Sequence, residues 1–259
     1  MNYVEMCRVL HDTNQNVANI KLVASLILRK LYNGGIEPEE LEKNLMKIQD
    51  SCTYYFQCAD NLRYREAYIE NPPQPFYTSR NLGEYCNNYV SALEPVIKTH
   101  EIDFDFKLSN PDDFFVCDYE KITLILNNLM NNAVRYNNKE KKHVSLSVYI
   151  KSGFLYLSVK DNGIGIPKKE ICRVTDFGYR ASNAKDVCTS GCGYGLNVSS
   201  LMIDSLYGEM KIKSKPDEGS EFIVCFPEGR ITGFESPGAE IKALNEENME
   251  LAFSSLSLE

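Results

Sequence analysis

The fold is decided by residues 161–167, which read Asp-Asn-Gly-Ile-Gly-Ile-Pro and directly follow a run of alternating apolar residues. Period-two alternation predicts a strand over about 155–159, so Asp161 stands at the end of a strand. Gly163 and Gly165 lie two positions apart, and glycine allows both a tight turn and the close approach of a planar ligand. The aspartate could accept a hydrogen bond from an exocyclic amine. Taken alone, the stretch is equally compatible with a plain loop.

A predicted helix over 119–136 carries the next group of polar side chains upstream of this stretch. Asn128 and Asn132 are four positions apart and therefore share one helical face, with Arg135 and Tyr136 at the next turn. Amides in an apolar helix need hydrogen-bond partners, and their oxygens can ligate a hard cation such as Mg²⁺. The alternative is that these are capping or surface asparagines.

Downstream, residues 191–196 read Gly-Cys-Gly-Tyr-Gly-Leu and lead into a helix predicted over about 194–207. Such a loop exposes backbone N–H groups at a helix N-terminus, where the helix dipole favours phosphate oxygens. The loop lacks the Gly-Lys-Ser/Thr ending of a Walker loop and the strand–turn–helix spacing of a Rossmann fingerprint. Both of those nucleotide-binding classes are therefore disfavoured.

The remaining pattern of residues 76–228 predicts a helix over 79–99 and a strand over 102–108. It also predicts paired strands over 144–150 and 155–159, and over 209–214 and 220–226. Interleaved helices and strands with two antiparallel hairpins indicate an α+β sandwich, one sheet covered by helices. Residues 229–259 form an acidic tail to which we assign no function.

Residues 1–71 show a different pattern, with apolar residues spaced three and four apart from 3 to 31 and again from 41 to 69. This spacing predicts two long helices. Gly34 and Gly35 end the first helix, Pro38 begins the second, and the prolines at 72, 73 and 75 end it. A hairpin cannot bury both seams alone, so we expect a homodimer through residues 2–70 that forms a four-helix bundle. The alternative is that the hairpin packs on the rest of its own chain.

The composition of the chain bounds its class. Its 259 residues, 43% hydrophobic and 25% charged, are typical of a globular protein. A net charge of −8 argues against a nucleic-acid partner. Neither an apolar run of membrane-spanning length nor a signal-peptide layout is present, so we expect a cytoplasmic protein with no membrane segment in this chain. Nine scattered cysteines are most simply small buried hydrophobic residues.

Taken jointly, the asparagine helix, Asp-x-Gly-x-Gly, a long loop and Gly-x-Gly-x-Gly-Leu resemble the ATP-binding domain of sensor histidine kinases. That domain is shared with DNA gyrase, heat-shock chaperone and mismatch-repair ATPases. The stretches that resemble the family's N, G1, F and G2 boxes are residues 128–132, 161–165, 177–180 and 191–196. Residues 208–227 are similar to the histidine-kinase ending, and the resemblance covers about residues 79–227.

The resemblance implies ATP and Mg²⁺ as cofactors. Asp161 would bind the adenine amine, Asn132 would ligate Mg²⁺ with Asn128 nearby, and Arg135 and Tyr136 would touch the phosphate or ribose side. Residues 167–193 would be a mobile lid with few apolar anchors, from which Arg180 or Lys185 could reach the γ-phosphate. The implied nucleotide-binding set is Asn128, Asn132, Arg135, Tyr136, Asp161, Gly163, Gly165, Ile166, Arg180, Gly191, Gly193, Tyr194, Gly195 and Leu196.

Residues 10–16 read Leu-His-Asp-Thr-Asn-Gln-Asn and resemble the phosphoacceptor box of the family's dimerisation hairpin. His11 lies one residue beyond the apolar seam, so we expect its ring to face solvent. Asp12 would hold the other ring nitrogen and raise its nucleophilicity. Asn16 stands where many members have proline, and Gln15 stands where a threonine or asparagine often positions water for phosphatase activity. The implied catalytic set is His11, Asp12, Gln15 and Asn128; a solvated surface histidine is the alternative for position 11.

The resemblance thus implies a kinase that autophosphorylates His11 from ATP and passes the phosphoryl group to an aspartate on the receiver domain of a response regulator. One alternative is a degenerate phosphotransferase or scaffold of the same fold that has lost nucleotide binding. A second is a serine-directed anti-sigma-type kinase or another ATPase of the wider group. The chain starts ten residues before His11. We therefore expect either a fragment of a longer kinase or an input from another chain.

Overall fold

Two long helices form the N-terminal part of the protein. The computed structural model describes residues 3–187 and 192–229, with the backbone alone at residues 3–13, 15, 16 and 186. Helix α1 spans Tyr3–Tyr32 and helix α2 spans Pro38–Glu70, as predicted to within two residues. The helices pack against each other, and an ion pair between Lys30 and Glu40 joins them beside the turn. The predicted helical hairpin is therefore present.

The second part is the predicted α+β sandwich. Its elements are β1 (Thr78–Asn81), α3 (Leu82–Thr99), β2 (Ile102–Leu108), β3 (Phe114–Cys117), α4 (Tyr119–Arg135), β4 (Lys142–Lys151), β5 (Phe154–Asp161), a 3₁₀ turn (Ile171–Arg173), α5 (Ala184–Val187), α6 (Gly195–Ser205), β6 (Glu209–Lys215) and β7 (Gly219–Pro227). The four-residue strands β1 and β3 pair with each other and were not predicted, because so short a run shows little alternation.

Five strands form the main sheet in the order β2-β4-β5-β7-β6. The two predicted hairpins, β4–β5 and β6–β7, are antiparallel, and β5 also pairs antiparallel with β7. Strand β2 pairs parallel with β4, with Phe104 opposite Val144. The crossover between them contains α4, as parallel pairing requires a long connection. Asp161, the last residue of β5, therefore ends the central strand of the sheet.

The main core lies between one face of this sheet and helices α3, α4 and α6. Leu146, Leu157 and Val224 point into it from three neighbouring strands and are at most 1% exposed. Helix α4 contributes Ile122, Ile125 and Leu129 at helical spacing, each fully buried. Asn128 and Asn132 lie on the neighbouring face of α4, beside this apolar stripe.

Helix α2 also packs on the sandwich. Tyr68 is only 6% exposed and belongs to the main core. The linker that follows is held by Lys121, whose Nζ donates to the Pro73 carbonyl at 3.0 Å, and by the Phe76 N–H, which donates to Asp118 Oδ2 at 3.0 Å. The alternative to dimerisation, that the hairpin packs on the rest of its own chain, therefore holds for one face of α2. Several large apolar residues of the hairpin remain exposed: Val17, Leu22, Leu26, Leu28, Leu31, Leu45 and Phe56.

Candidate active site

A pocket brings the three polar motifs together beside the end of β5. Its empty volume is about 990 Å³ with the open mouth included. The predicted site residues that line it are Asn128, Asn132, Arg135, Tyr136, Asp161, Gly165, Ile166, Arg180, Gly193, Tyr194, Gly195 and Leu196. Gly191 lies outside the described residues, as do the side chains of His11, Asp12 and Gln15. Residues separated by almost 70 positions in the chain thus share one cavity.

Asp161 is held at one end of this pocket by the backbone around it. Its Oδ1 accepts the N–H groups of Gly163 at 2.7 Å and Ser220 at 3.3 Å. Burial raises the pKa of the Asp161 carboxyl to about 6, although the two N–H donors lower it. Since both hydrogen bonds end on Oδ1, Oδ2 is the oxygen that can accept from an amine of a ligand. We call this part of the pocket the Asp161 end.

The two glycines of this stretch are required by the protein's own backbone. A Cβ on Gly165, which has a φ of +62°, would lie 1.9 Å from the Lys215 carbonyl oxygen. A Cβ on Gly163 would lie 2.4 Å from the Tyr136 carbonyl oxygen. Gly163 is not among the pocket-lining residues and supports Asp161 through its N–H. We expected a ligand to approach these two glycines closely. In the structure, the backbone at Tyr136 and at Lys215 makes the close approach.

The asparagines of α4 form the floor of the pocket. Asn128 is 8% exposed, and its Nδ2 donates to Ser199 Oγ on α6 at 3.2 Å. Its Oδ1 faces Gly195, where an added Cβ would lie 3.2 Å away. Asn132, one turn further along, is half-buried. The Asn128 amide oxygen thus lies beside the N-terminus of α6, where anions are favoured.

The loop expected to be a lid has more anchors than the sequence predicts. Val174, Ala181 and Ala184 are at most 8% exposed, and the two alanines pack with Ile164. Asn183 Nδ2 donates to the carbonyls of Ile164 and Gly165 at 3.2 and 2.9 Å. The expectation of few apolar anchors is therefore wrong, because small residues that look neutral in sequence fill gaps next to the pocket. Its mobility stays a prediction.

Four residues of α2 complete the pocket wall: Tyr54, Gln57, Cys58 and Asn61. They lie opposite Arg135 and residues 192–195, in the part we call the Arg135 end. Sequence reasoning missed them, because the predicted seam of α2 runs through 52, 55, 59 and 62 on the adjacent face. The signal was a second stripe at the same spacing, Tyr54, Cys58, Asn61, Arg65 and Tyr68.

The second stripe is anchored further along α2 by aromatic contacts. The Arg65 guanidinium lies 3.8 Å from the centroid of the Phe177 ring, and Phe177 stacks on Tyr194 at 4.6 Å. Cys58 packs with Cys192 and Tyr194 in a small buried cluster. Helix α2 is consequently joined to the middle of the loop that spans residues 167–193, through Phe177, and to its C-terminal end, through Cys192.

Other lining residues were absent from the predicted nucleotide-binding set, although Asn131, Ile164, Tyr179 and Cys192 lie within the motif stretches named in the sequence analysis. They are Asn131, Ile164, Val174, Tyr179, Ala181, Ala184, Cys192, Ser220 and Phe222. Most lie within two positions of a predicted residue, and Ser220 and Phe222 lie on β7, which the sheet brings beside Asp161. Arg180 lines the pocket, and its Nη2 donates to the Ala184 carbonyl at 3.1 Å. Among the described residues, no helix combines the length and apolar content needed to cross a bilayer.

Comparisons with known proteins agree with this geometry. Residues 117–230 match the family described as "Histidine kinase-, DNA gyrase B-, and HSP90-like ATPase". The chain is 35% identical over 218 residues to the sensor histidine kinase YkoH of Bacillus subtilis (strain 168), which covers 84% of this chain and 46% of that relative. The chain spans less than half the length of the curated relatives it matches first.

Two solved structures have the same fold. The Acinetobacter baumannii histidine kinase AdeS superposes with a TM-score of 0.56 at 17% identity, over 82% of this chain and 96% of that one. The histidine kinase ThkA, solved in complex with the response regulator protein TrrA, gives a TM-score of 0.57 at 19% identity, over 86% of this chain and 61% of that one. From these matches, residues 117–230 form a domain of the histidine kinase-, DNA gyrase B- and HSP90-like ATPase family, and the chain is similar to sensor histidine kinases over much of its length.

Proposed function

We propose that this protein is an ATP-dependent histidine kinase that phosphorylates His11 and then passes the phosphoryl group to an aspartate of a response regulator. The observation that carries the proposal is the position of the pocket along the helical hairpin, which we call its height and measure along the helix axes from the turn. Its α2 wall consists of residues 54, 57, 58 and 61. That stretch lies at the same height as His11 on the neighbouring helix.

The height follows from the pairing of the two helices. Lys30 on α1 is paired with Glu40 on α2, and the chain reverses direction at the turn between them. His11 precedes Lys30 by nineteen residues, and Ala59 follows Glu40 by nineteen residues. At about 1.5 Å per residue, both positions lie about 28 Å along the hairpin from the ion pair. His11 is therefore level with the α2 residues that wall the pocket.

At the Asp161 end, the structure supports binding of the adenine base. A carboxylate oxygen faces a cavity lined by the apolar side chains of Ile164, Ile166 and Phe222. A flat base fits between apolar side chains, and its exocyclic amine would donate to Asp161 Oδ2. The phosphates would then extend toward Arg135 and the start of α6, where a guanidinium and backbone N–H groups favour negative charge.

The residues present also fit Mg²⁺. This ion keeps several waters and usually takes one or two protein oxygens together with the oxygens of the substrate's phosphates. The described residues contain no cluster of three or more His, Cys, Asp or Glu side chains suited to a metal. Amide oxygens are then the protein ligands to expect, and Asn132, with Asn128 nearby, would hold the ion. When bound, it would neutralise charge on the phosphates.

In the proposed reaction a ring nitrogen of His11 attacks the γ-phosphorus of ATP. An N–P bond forms, the bond to the β-phosphate oxygen breaks, and ADP leaves. Asp12 would orient the imidazole and accept its proton, and Gln15 would position water if the phosphoryl group is hydrolysed. Most of the rate enhancement would come from positioning and from charge neutralisation by Arg135 and Arg180.

The phosphoryl group would next move to an aspartate carboxylate of a receiver domain. We also propose that the protein works as a homodimer through residues 2–70. Single, scattered apolar residues on a surface need no explanation, but Val17, Leu28 and Leu31 of α1 are all at least 51% exposed. They lie within about 60° of one another around the helix, so the hairpin presents an apolar face. Pairing two such hairpins into a four-helix bundle would bury that face.

The test is incubation of the full chain with γ-labelled ATP and Mg²⁺, followed by acid and alkali treatment of the labelled protein. We expect label that is lost in acid and kept in alkali, as for a phosphohistidine. The label should be absent from His11→Gln. His143→Gln is the matched control, because that histidine sits on β4, where its Nδ1 lies 3.2 Å from Asp103 Oδ2. Acid-stable label, or label that survives in His11→Gln, would contradict the proposal.

A further inference from the structure

Tyr54 of α2 occupies the Arg135 end of the pocket. The guanidinium carbon of Arg135 lies 3.6 Å from the centroid of the Tyr54 ring. The Tyr54 hydroxyl oxygen accepts the backbone N–H of Cys192, in the glycine loop just before α6. One side chain of the hairpin thus contacts both a cation and a loop N–H of the sandwich.

Both groups are of the kind that bind phosphate. A guanidinium pairs with phosphate oxygens through charge-assisted hydrogen bonds. Backbone N–H groups at the start of a helix are favourable for anions, and α6 begins three residues after Cys192. In the present arrangement the Tyr54 ring covers the first group and its hydroxyl takes the second. Tyr54 therefore stands where the phosphates of a bound nucleotide would make their contacts.

Tyr54 and the phosphates of a nucleotide would compete for Arg135 and for the Cys192 N–H, and this competition favours the phosphates. Burial raises the pKa of the Tyr54 phenol far above its usual value, so its oxygen is a neutral acceptor. Hydrogen bonds to a charged acceptor are about twice as strong as those to a neutral one. A cation over an aromatic ring is held less strongly than in a desolvated pair with phosphate. A triphosphate can thus displace the ring, whereas adenosine has no group that would.

We propose that Tyr54 is a specificity-determining residue that fills the phosphate end of the pocket and must be displaced by the phosphates of ATP. The inference rests on the proposed function in one respect, that purine nucleotides bind in this pocket with the base at Asp161. Its consequence is that part of the binding free energy of ATP is used to expel the ring. Adenosine, which stops short of Arg135, binds without this cost.

The rest of the α2 contact remains in place when the ring leaves. Arg65 stays on Phe177, and Tyr68 stays in the main core. A change in the Tyr54 side chain, or a small shift of α2 around it, is sufficient. The displaced residue lies about one and a half helical turns from the height of His11, so expulsion of the ring would occur beside the proposed acceptor.

The experiment measures the affinities of Mg-ATP and of adenosine by calorimetry for the full chain and three variants. Tyr54→Ala removes both contacts, and Tyr54→Phe keeps the ring on Arg135 but removes the acceptor of the Cys192 N–H. Tyr55→Ala is the matched control, because Tyr55 packs on Phe56 and is not among the pocket-lining residues. Adenosine binding also reports whether each variant is folded.

We expect Tyr54→Ala to bind Mg-ATP about tenfold more tightly than the wild type, a difference of about 1.4 kcal/mol. Tyr54→Phe should gain about threefold, since it loses one of two contacts. Adenosine affinity should stay the same in all variants, and Tyr55→Ala should match the wild type for both ligands.

Unchanged or weaker Mg-ATP binding in Tyr54→Ala would overturn the inference, because the ring would then be a neutral or supporting wall. An equal gain for adenosine and ATP would also overturn it, since the ring would then obstruct the whole pocket. If neither ligand binds to any of the four proteins, the proposed function itself fails. That outcome is distinct from nucleotide binding that is indifferent to Tyr54.

Discussion

At the Asp161 end of the pocket the contacts come from within the sandwich, whereas at the Arg135 end a ring reaches in from the helical hairpin. Asp161 is held by two backbone N–H groups, one of them two residues away in the chain. Arg135 and Cys192 are contacted by Tyr54, which precedes them by 81 and 138 residues. The first end depends on a turn and a strand pair, and the second on how two parts of the chain are packed together.

The difference indicates that the two ends respond differently to change. The Asp161 end is rigid because backbone atoms meet backbone atoms, as Gly165 shows against the Lys215 carbonyl. The Arg135 end is closed by side chains, which can change rotamer without breaking a strand or a helix. A ligand should therefore meet a preformed site at one end and an exchangeable contact at the other.

The largest effect is expected from Gly165→Ala, which tests the rigidity of the Asp161 end. The added Cβ would overlap the Lys215 carbonyl oxygen at 1.9 Å, at a φ of +62° that alanine disfavours. We expect the free energy of unfolding to fall by about 4 kcal/mol, measured by chemical denaturation.

Gly153→Ala is its control. It has a φ of +78° but nothing within 4 Å of an added Cβ, so it should lose only about 1 kcal/mol. Similar losses in the two variants would show that backbone conformation, and not close packing, limits this turn.

A smaller effect of opposite sign is expected from Asp161→Asn. The pKa of Asp161 is raised from 3.8 to about 6 in the folded protein, so folding favours its protonated form. The stability linked to this proton is complete below pH 3.8 and is lost as the pH rises through about 6. At pH 7 the uncharged variant should be more stable than the wild type without ligand, by roughly 3 kcal/mol at about 1.4 kcal/mol per pKa unit.

Denaturation at several pH values checks the sign of this effect. The advantage of Asp161→Asn should shrink below pH 6 and disappear once the pH is below 3.8, because the wild-type carboxyl is then protonated in both states. An advantage that is independent of pH, or a loss of stability at pH 7, would contradict burial as the cause of the raised pKa. The expected, pH-dependent gain would show that the ionised carboxylate at the Asp161 end of the pocket lowers the free energy of unfolding of the wild type.

The smallest effect concerns the contact between α2 and the sandwich. Arg65→Ala removes a guanidinium whose side chain is 11% exposed and which lies 3.8 Å from the Phe177 centroid. We expect a loss of about 1 kcal/mol in the free energy of unfolding. Arg63→Ala is the matched control, since its side chain is 72% exposed and it should change stability by less than about 0.5 kcal/mol. Equal losses would mean that Phe177 does not depend on the hairpin.

Much of the fold could be predicted because its elements are long and regularly patterned. Both long helices, α4 and the two antiparallel strand pairs agree with their predicted positions. The parallel pairing of β2 with β4 could not be predicted, since alternation identifies a strand but not its neighbour. The short strands β1 and β3 were not predicted for a related reason, because four residues are too few to show a clear apolar–polar alternation.

The candidate site divides in the same way. Asn128, Asp161 and Gly195 were identified because they belong to short motifs whose order along the chain is specific. Gly163 was predicted to contact the ligand. In the structure its close neighbour is the Tyr136 carbonyl, which is distant from Gly163 in the sequence but next to it in space. Local glycine patterns indicate that something approaches closely, but they do not say what.

The sequence by itself determined the hairpin, the sandwich and the motifs of the pocket, because periodicity and motif order are local properties of the chain. Only the tertiary structure decided which face of α2 meets the sandwich and that Tyr54 lies on Arg135. The physical reason is that α2 has two stripes at the same spacing, one apolar and one of mixed polarity, and helical periodicity is identical for both. Which stripe meets which partner depends on the shapes and charges that the folded sandwich presents.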